Sequence, residues 1–362
     1  MSAPRPSRTR ALLLTTALAC CASSCTPSDD TAPGDTAPEW TGLVKGYGIS
    51  PLGFPLDYAQ LGEFYTEVGG QEGGGVMWNG AWRDDAAGGS DAGTIPQAGG
   101  GLPVQAESYG FVPILVFGWR SGETLYLNVP EDATNDWTNE AARDLFLSML
   151  TEHVRTHEPP YVFIGNENSL YHQQDPDDYA NWITFYEQAY DAIKAESEST
   201  MVGTVFNYEH LAGQGALTGF VDPYWEALEA HDLSKVDLLG VTVYPFLQYA
   251  TVDEVPSDYL EPLFDRIGST PVAITETGWP AEDLGDLEIP WEQGEDAQVD
   301  FVSTLGDLLA GRDVLLVNWL FLNPMVDPGD ASDEWQLFGS VSVRDTAGAE
   351  RPVYQPWLEL EL

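Results

Sequence analysis

Pro271-Val272-Ala273-Ile274-Thr275-Glu276-Thr277-Gly278-Trp279-Pro280 opens as an apolar run and breaks off at a glutamate, and Tyr161-Val162-Phe163-Ile164-Gly165-Asn166-Glu167 does the same earlier in the chain. Short, continuous apolar runs are expected of parallel strands covered on both faces. Two such strands ending on Glu deliver two carboxylates to one end of a sheet. Sugar-acetal chemistry needs that pair: one carboxyl protonates the leaving oxygen and the other attacks, or activates water, at the anomeric carbon. A single strand-end Glu is more simply a salt-bridged rim residue; the pair is what points to catalysis.

Working outward, further apolar runs alternate with longer amphipathic stretches. Strands are expected at Leu43–Ile49, Gly75–Trp78, Val112–Phe117, Tyr161–Ile164, Met201–Phe206, Leu238–Val243, Val272–Ile274 and Val314–Trp319. Asp175-Pro176 starts a helix carrying Tyr179, Ile183, Tyr186 and Ile193 on one face, and Val299, Val302, Leu305, Leu308 and Leu309 form a second stripe. Eight strands with intervening helices predict an α/β fold, a (β/α)8 TIM barrel forming a single catalytic domain over residues 41–362, with functional groups at strand C-termini. Between the second and third strands the chain is glycine-rich and its helical pattern is weak. A doubly wound open sheet fits the alternation as well, but leaves the two Glu-terminated strands unexplained.

The chain has 14 basic and 58 acidic residues, for a formal charge of −44. That balance argues against nucleic acid or anionic lipid as a partner, and reads most simply as a solvated acidic surface. The N-terminus is an address. Arg5, Arg8 and Arg10 precede an apolar stretch, Ala11 to Ala19, that is too short to span a bilayer, so residues 1–25 read as a signal peptide. All three cysteines, Cys20, Cys21 and Cys25, lie at its end and none follows, leaving the domain no disulfide or thiolate site. The cluster resembles a bacterial lipoprotein signal, so membrane attachment through a lipidated Cys and plain secretion both stay open. Residues 26–40, with three prolines and no apolar periodicity, read as a disordered linker.

The ordered pair Asn166-Glu167 and Glu276 resembles the clan A glycoside hydrolases, retaining enzymes on this barrel in which Asn-Glu ends strand four and a second Glu ends strand seven. Ile274 to Pro280 looks most like glycoside hydrolase family 17, the β-1,3-glucanases, and Val243-Tyr244-Pro245-Phe246 is similar to that family's strand six; Ala281-Glu282 departs from its pattern. The endo-β-1,4-galactanases of the same clan are a close rival. The tail from Trp335 through Asp345, Arg351-Pro352 and Tyr354 resembles the segment that closes many such barrels with a final helix beneath them. The resemblance implies a secreted or surface-anchored retaining β-glycosidase acting on a β-linked polysaccharide, foremost a β-1,3-glucan. Transglycosylation, or a carbohydrate-binding lipoprotein without catalysis, are the alternatives.

Under that resemblance Glu276 is the nucleophile and Glu167 the acid, then base. Like charges at close range raise one pKa, which lets one residue type serve both roles. Asn166 is expected to bind the hydroxyl beside the reacting carbon, and Tyr244 to donate to Glu276. Trp78, Trp82, Trp119, Tyr208, Trp279 and Trp319 sit at or just past strand ends, where flat rings could stack on sugars. Asn207 and Asn318 are candidate hydroxyl ligands by position. His153 and His157 lie one helical turn apart without a carboxylate to complete a metal set, and are expected on a surface helix. Neither a phosphate-cradling loop nor a Gly-x-Ser-x-Gly elbow is present, so no metal and no cofactor is expected, and a monomer is.

Overall fold

Eight parallel strands close into a barrel in the computed structural model, which describes residues 42–53, 58–81, 97–121, 124–125, 134–216, 218–282, 292–325 and 333–362. The leader, the linker and Trp82 lie outside the described residues. The strands are β1 (Val44–Gly48), β2 (Gly74–Ala81), β3 (Val112–Gly118), β4 (Tyr161–Ile164), β5 (Met201–Gly203 and Val205–Asn207), β6 (Leu239–Val243), β7 (Val272–Thr277) and β8 (Val314–Phe321). The two pieces of β5 form the two ends of a nine-stranded sheet. Only Thr204 separates them, so the sheet is closed on itself. On one side Met201 to Gly203 pairs with β4, and on the other Val205 to Asn207 pairs with β6.

The surrounding helices are α1 (Tyr58–Gly69), α2 (Gln97–Tyr109), α3 (Glu140–His157), α4 (Asn168–Gln174), α5 (Pro176–Glu196) and α6 (Tyr208–Ala212). They continue with α7 (Glu226–Glu229), α8 (Glu261–Ile267), α9 (Glu295–Leu309), α10 (Asp333–Ser340) and α11 (Tyr354–Leu358). Helix α5 starts as its sequence dictates: the Asp175 carboxylate accepts the Asp178 N–H at 3.0 Å and Pro176 occupies the first turn. Tyr179, Tyr186 and Ile193 are buried, joined by Trp182 and Phe185, while Ile183 is only partly covered. On α9, Val302, Leu305, Leu308 and Leu309 are buried. Helix α2 forms despite Pro103 and its glycines, because Leu102 and Ala106 pack into the core.

The apolar core divides along the barrel wall. A large outer cluster fills the layer between strands and helices. A smaller inner one contains Val44, Met77, Ile114, Val116, Tyr161, Phe163, Val205, Leu238, Ala273 and Leu316. Large and small residues interlock inside it: a Cβ at Gly75 would lie 2.9 Å from Ile114, and one at Gly203 would lie 2.9 Å from Phe163. The final helix packs on the outer layer of the barrel, with Trp357 against Tyr47 of β1 and Trp319 of β8.

Candidate active site

Both glutamates lie at the C-terminal mouth of the barrel, and both are almost wholly buried, at 2% and 3% exposure for Glu167 and Glu276. They reach it by departures from regular backbone. Gly165 has φ +87°, and a Cβ there would lie 2.5 Å from Asn168 Oδ1 and 2.7 Å from Trp119 Nε1. Two residues on, Glu167 itself takes a left-handed conformation, with φ 49° and ψ 46°, which an L-residue adopts at a cost of roughly 1–2 kcal/mol. Glu276 depends on a β-bulge. Ile274 pairs with Val241 and Glu276 with the next residue, Thr242, so Thr275 is the extra residue. Ala273 faces the barrel interior and Ile274 the outer layer. Simple alternation would send Glu276 outward too; the bulge turns it in.

Strand β6 lies between the two carboxyls. Thr242, the register partner of Glu276, donates its hydroxyl to Glu167 Oε1 at 2.9 Å, and Asn207 donates its amide to the same oxygen at 2.9 Å. Tyr244, also at the end of β6, donates its hydroxyl to Glu276 Oε2 at 3.1 Å. The Asn79 amide donates to Glu276 Oε1 at 2.8 Å, and Asn166 is a further hydrogen-bond partner of that carboxyl. The two acids therefore share one mouth, close enough for the charge of Glu167 to act on Glu276. Burial, with the charge of Glu167 second, pushes Glu276 up to about 8; the hydrogen bonds from Tyr244, Asn79 and Asn166 pull the other way. Two carboxyls so placed hold a proton between them near neutral pH. Such a site can give a proton to one atom and a carboxylate to its neighbour.

Sequence reasoning missed Asn79, Thr242 and Glu209. Asn79 is the polar residue just past the expected end of β2, and Thr242 faces inward between Val241 and Val243, which pack in the outer layer. Those polar breaks in apolar runs were the available signal. Asn166 Oδ1 is buried without a partner, as are both amide atoms of Asn318 inside the barrel. Asn207 is committed elsewhere than expected: its Oδ1 accepts the His210 N–H at 2.8 Å while its amide serves Glu167.

The aromatic residues correct the sequence reading. Trp119, Tyr208, Trp279 and Trp319 are fully buried and Trp78 nearly so, and all lie in the outer layer. Trp319 packs on Phe301 and Trp357 and donates to the Val341 carbonyl at 2.7 Å. Trp279 packs on Phe246 and Phe301, and its indole donates to the Glu292 carbonyl at 2.9 Å. Trp119 meets Trp137 and Tyr171 edge-on and Trp182 at a tilt, Trp78 meets Phe117 edge-on, and Tyr208 is bonded to the Tyr259 carbonyl. None offers a ring face to a sugar. Each is one residue out of phase with, or just beyond, the inward positions of its strand. His153 is likewise not on an exposed face: it is buried against Phe117, and burial, with His157 beside it, brings its imidazole down to about 4. Among the described residues no group of His, Cys, Asp or Glu could hold a metal ion.

Residues 123–303 match the model of Glycosyl hydrolase family 53. Among solved structures, a fungal β-1,4-galactanase aligns with 88% of this chain and 100% of its own, at 15% identity and TM-score 0.60. A family 53 catalytic domain from Ignisphaera aggregans aligns over 90% and 98%, at 17% identity and TM-score 0.51. A family 17 β-1,3-glucanosyltransferase from Rhizomucor miehei aligns over 88% and 97%, at 12% identity and TM-score 0.55. At these identities the likenesses are of fold. No curated protein sequence matches the chain.

Proposed function

The chain belongs to glycosyl hydrolase family 53 and is a retaining clan A β-glycosidase, and from that membership we propose that it is an endo-β-1,4-galactanase. The β-1,3-glucan suggested by the Glu276 motif is set aside, because that likeness is confined to a few residues while the family 53 match spans half the chain. The observation that carries the reading is the convergence of Glu167 and Glu276 across β6, each held by its own donors.

Three donors on Glu276 oppose the rise that burial and the Glu167 charge impose on it, and in the reactive form of the pair the shared proton rests on Glu167. Glu167 gives that proton to the glycosidic oxygen as a Glu276 oxygen bonds to the anomeric carbon and the leaving sugar departs. Water then attacks the same carbon, Glu167 takes its proton, and the bond to Glu276 breaks, restoring the starting configuration. Asn166 Oδ1, buried and unpartnered beside this carboxyl, fits an acceptor for the neighbouring sugar hydroxyl. The leader and its cysteines support export, free or lipid-anchored, toward a polymer too large to enter a cell.

The test is a panel of β-1,4-galactan, laminarin, mixed-linkage glucan, mannan and cellulose. Galactan alone should be shortened, with no reducing sugar released by Glu276→Ala. Cleavage of laminarin with galactan untouched would return the family 17 reading. Retention of a glycan without shortening would make the protein a binding module.

A further inference from the structure

A third carboxyl, Glu209, is fully buried beside the pair. It follows β5 in the single turn of α6, and its Oε1 accepts the Tyr244 backbone N–H at 2.6 Å and the Tyr259 hydroxyl at 2.8 Å. Its Oε2 is buried with no partner. Satisfying one backbone N–H does not call for a carboxyl, since a carbonyl or amide would do so without the hazard of a stranded charge. The topology supplies a reason. Asn207, two residues earlier, holds Glu167, and Glu209 holds Tyr244, whose hydroxyl is on Glu276. One turn after β5 therefore reaches both acids, one directly and one through β6. Burial pushes the Glu209 carboxyl up to about 8, with the charge of Glu167 adding to the rise. It is thus uncharged across the acidic and neutral range, and places no standing negative charge beside the pair.

We propose that Glu209 is a positioning residue: it fixes the end of β6 so that the Tyr244 hydroxyl stays on Glu276 and holds that carboxyl in one orientation. Its kinetic consequence rests on the glycosidase reading above; the contact does not. A residue that merely fills space would alter stability and leave Tyr244 and Glu276 uncoupled from it.

The experiment compares Glu209→Ala, Glu209→Gln, Tyr244→Phe and the double variant E209A/Y244F in the full chain, on galactan and an aryl β-galactoside. E209A should lower kcat roughly 30- to 100-fold with KM within about threefold. E209Q, which keeps the acceptor, should recover to within about tenfold of wild type. The double variant should be no more than about threefold worse than the poorer single one, because both changes cut the same link. Multiplicative losses, or wild-type kcat in a folded E209A, overturn the proposal. A readout independent of turnover is the carboxyl carbon-13 titration of Glu276. It should move to higher pH in Y244F and E209A alike, move no further in the double variant, and stay in place in E209Q. If the wild type cleaves no glycan, the functional reading fails, yet this titration still decides the role of Glu209; an unmoved curve in E209A sinks it. Should E209A not fold, Tyr259→Phe loosens Glu209 without emptying its site and must shift the same curve in the same direction, or the proposal falls.

Discussion

Replacing Glu276 with Gln should stabilise the protein relative to wild type progressively as pH rises from about 4.5 to about 8. The side chain is buried in the barrel mouth and its carboxyl is pushed up to about 8 from the ordinary 4.5 by burial and by the charge of Glu167. A carboxyl whose pKa is raised on folding binds its proton more tightly folded than unfolded. Its contribution to stability is therefore fully present below about pH 4.5 and is lost as pH rises through 8. That displacement sets an upper bound on the order of 5 kcal/mol. Two effects reduce it. The amide of Gln faces donors from Asn79, Asn166 and Tyr244, which costs about 1–2 kcal/mol, and the like-charge part is shared with Glu167, so it counts once. At pH 5, where wild type is protonated and close to isosteric with the variant, the two should agree within about 2 kcal/mol; by pH 9 the variant should have gained roughly 2–4 kcal/mol relative to that baseline. Urea unfolding at pH 5, 7 and 9 at fixed ionic strength measures this, with exposed Glu63→Gln as the control for removing one charge from so acidic a chain. A difference that stays flat from pH 5 to 9, or one that reverses, would refute the buried-carboxyl account.

Three further outcomes follow from the same geometry. Asn79→Ala removes a donor from Glu276 Oε1 and should cut kcat roughly 10- to 100-fold with stability nearly unchanged, measured by steady-state kinetics beside urea midpoints. Trp319→Phe should cost about 2–3 kcal/mol of stability, since it opens a void and takes from the Val341 carbonyl one of its two donors, leaving only the Gln298 amide, while KM for the polysaccharide stays within about threefold; a large rise in KM at unchanged stability would restore Trp319 as a sugar platform. Deleting Thr275 removes the bulge but leaves Glu276 directly after Ile274, opposite Thr242 and facing inward, so steady-state hydrolysis of the polysaccharide should persist, lowered roughly 10- to 100-fold by the shift in carboxyl position; complete loss in a folded variant would refute this account of the register.

The strand count, the closure expected of it and the two Glu-terminated runs were legible because burial on both faces writes itself as unbroken apolar sequence. The same property hides which way a side chain points. Alternation cannot be read from Val-Leu-Leu-Val-Asn-Trp-Leu-Phe, the sequence of β8, so Trp319 looked as eligible for the mouth as its neighbour; the structure sets Asn318 inside, against Gly46, and Trp319 outside. On β2 the same slip separates Trp78 from Asn79. The contact from Tyr244 to Glu276 was anticipated on resemblance, whereas Thr242 and Glu209 act on partners 75 and 35 residues away, and no local pattern encodes such pairs.

The buried aromatics nonetheless bear on the site, through the backbone that aims it. Glu167 and Glu276 both point inward only because the chain leaves regular geometry next to them, by a left-handed residue on one side and an inserted one on the other. Such departures persist only where the surroundings over-determine them. At Glu167 the chain is held on both flanks: the Gly165 N–H reaches the Phe117 carbonyl at 2.8 Å, and the Thr204 hydroxyl reaches the Ile164 carbonyl at 2.8 Å. Beyond Glu276, Thr277 is tied to the Val243 carbonyl at 2.8 Å and Gln298 of α9 to the Trp279 carbonyl at 2.8 Å, while the Trp279 indole anchors on Glu292. Gly278 is required there, since a Cβ would lie 2.1 Å from Val341, the residue whose carbonyl receives Trp319. Gly-Trp-Pro after the glutamate is thus a clamp on the strand end. Its effect on chemistry is to keep a bulged carboxyl from relaxing to the outer face, where uninterrupted alternation would send it.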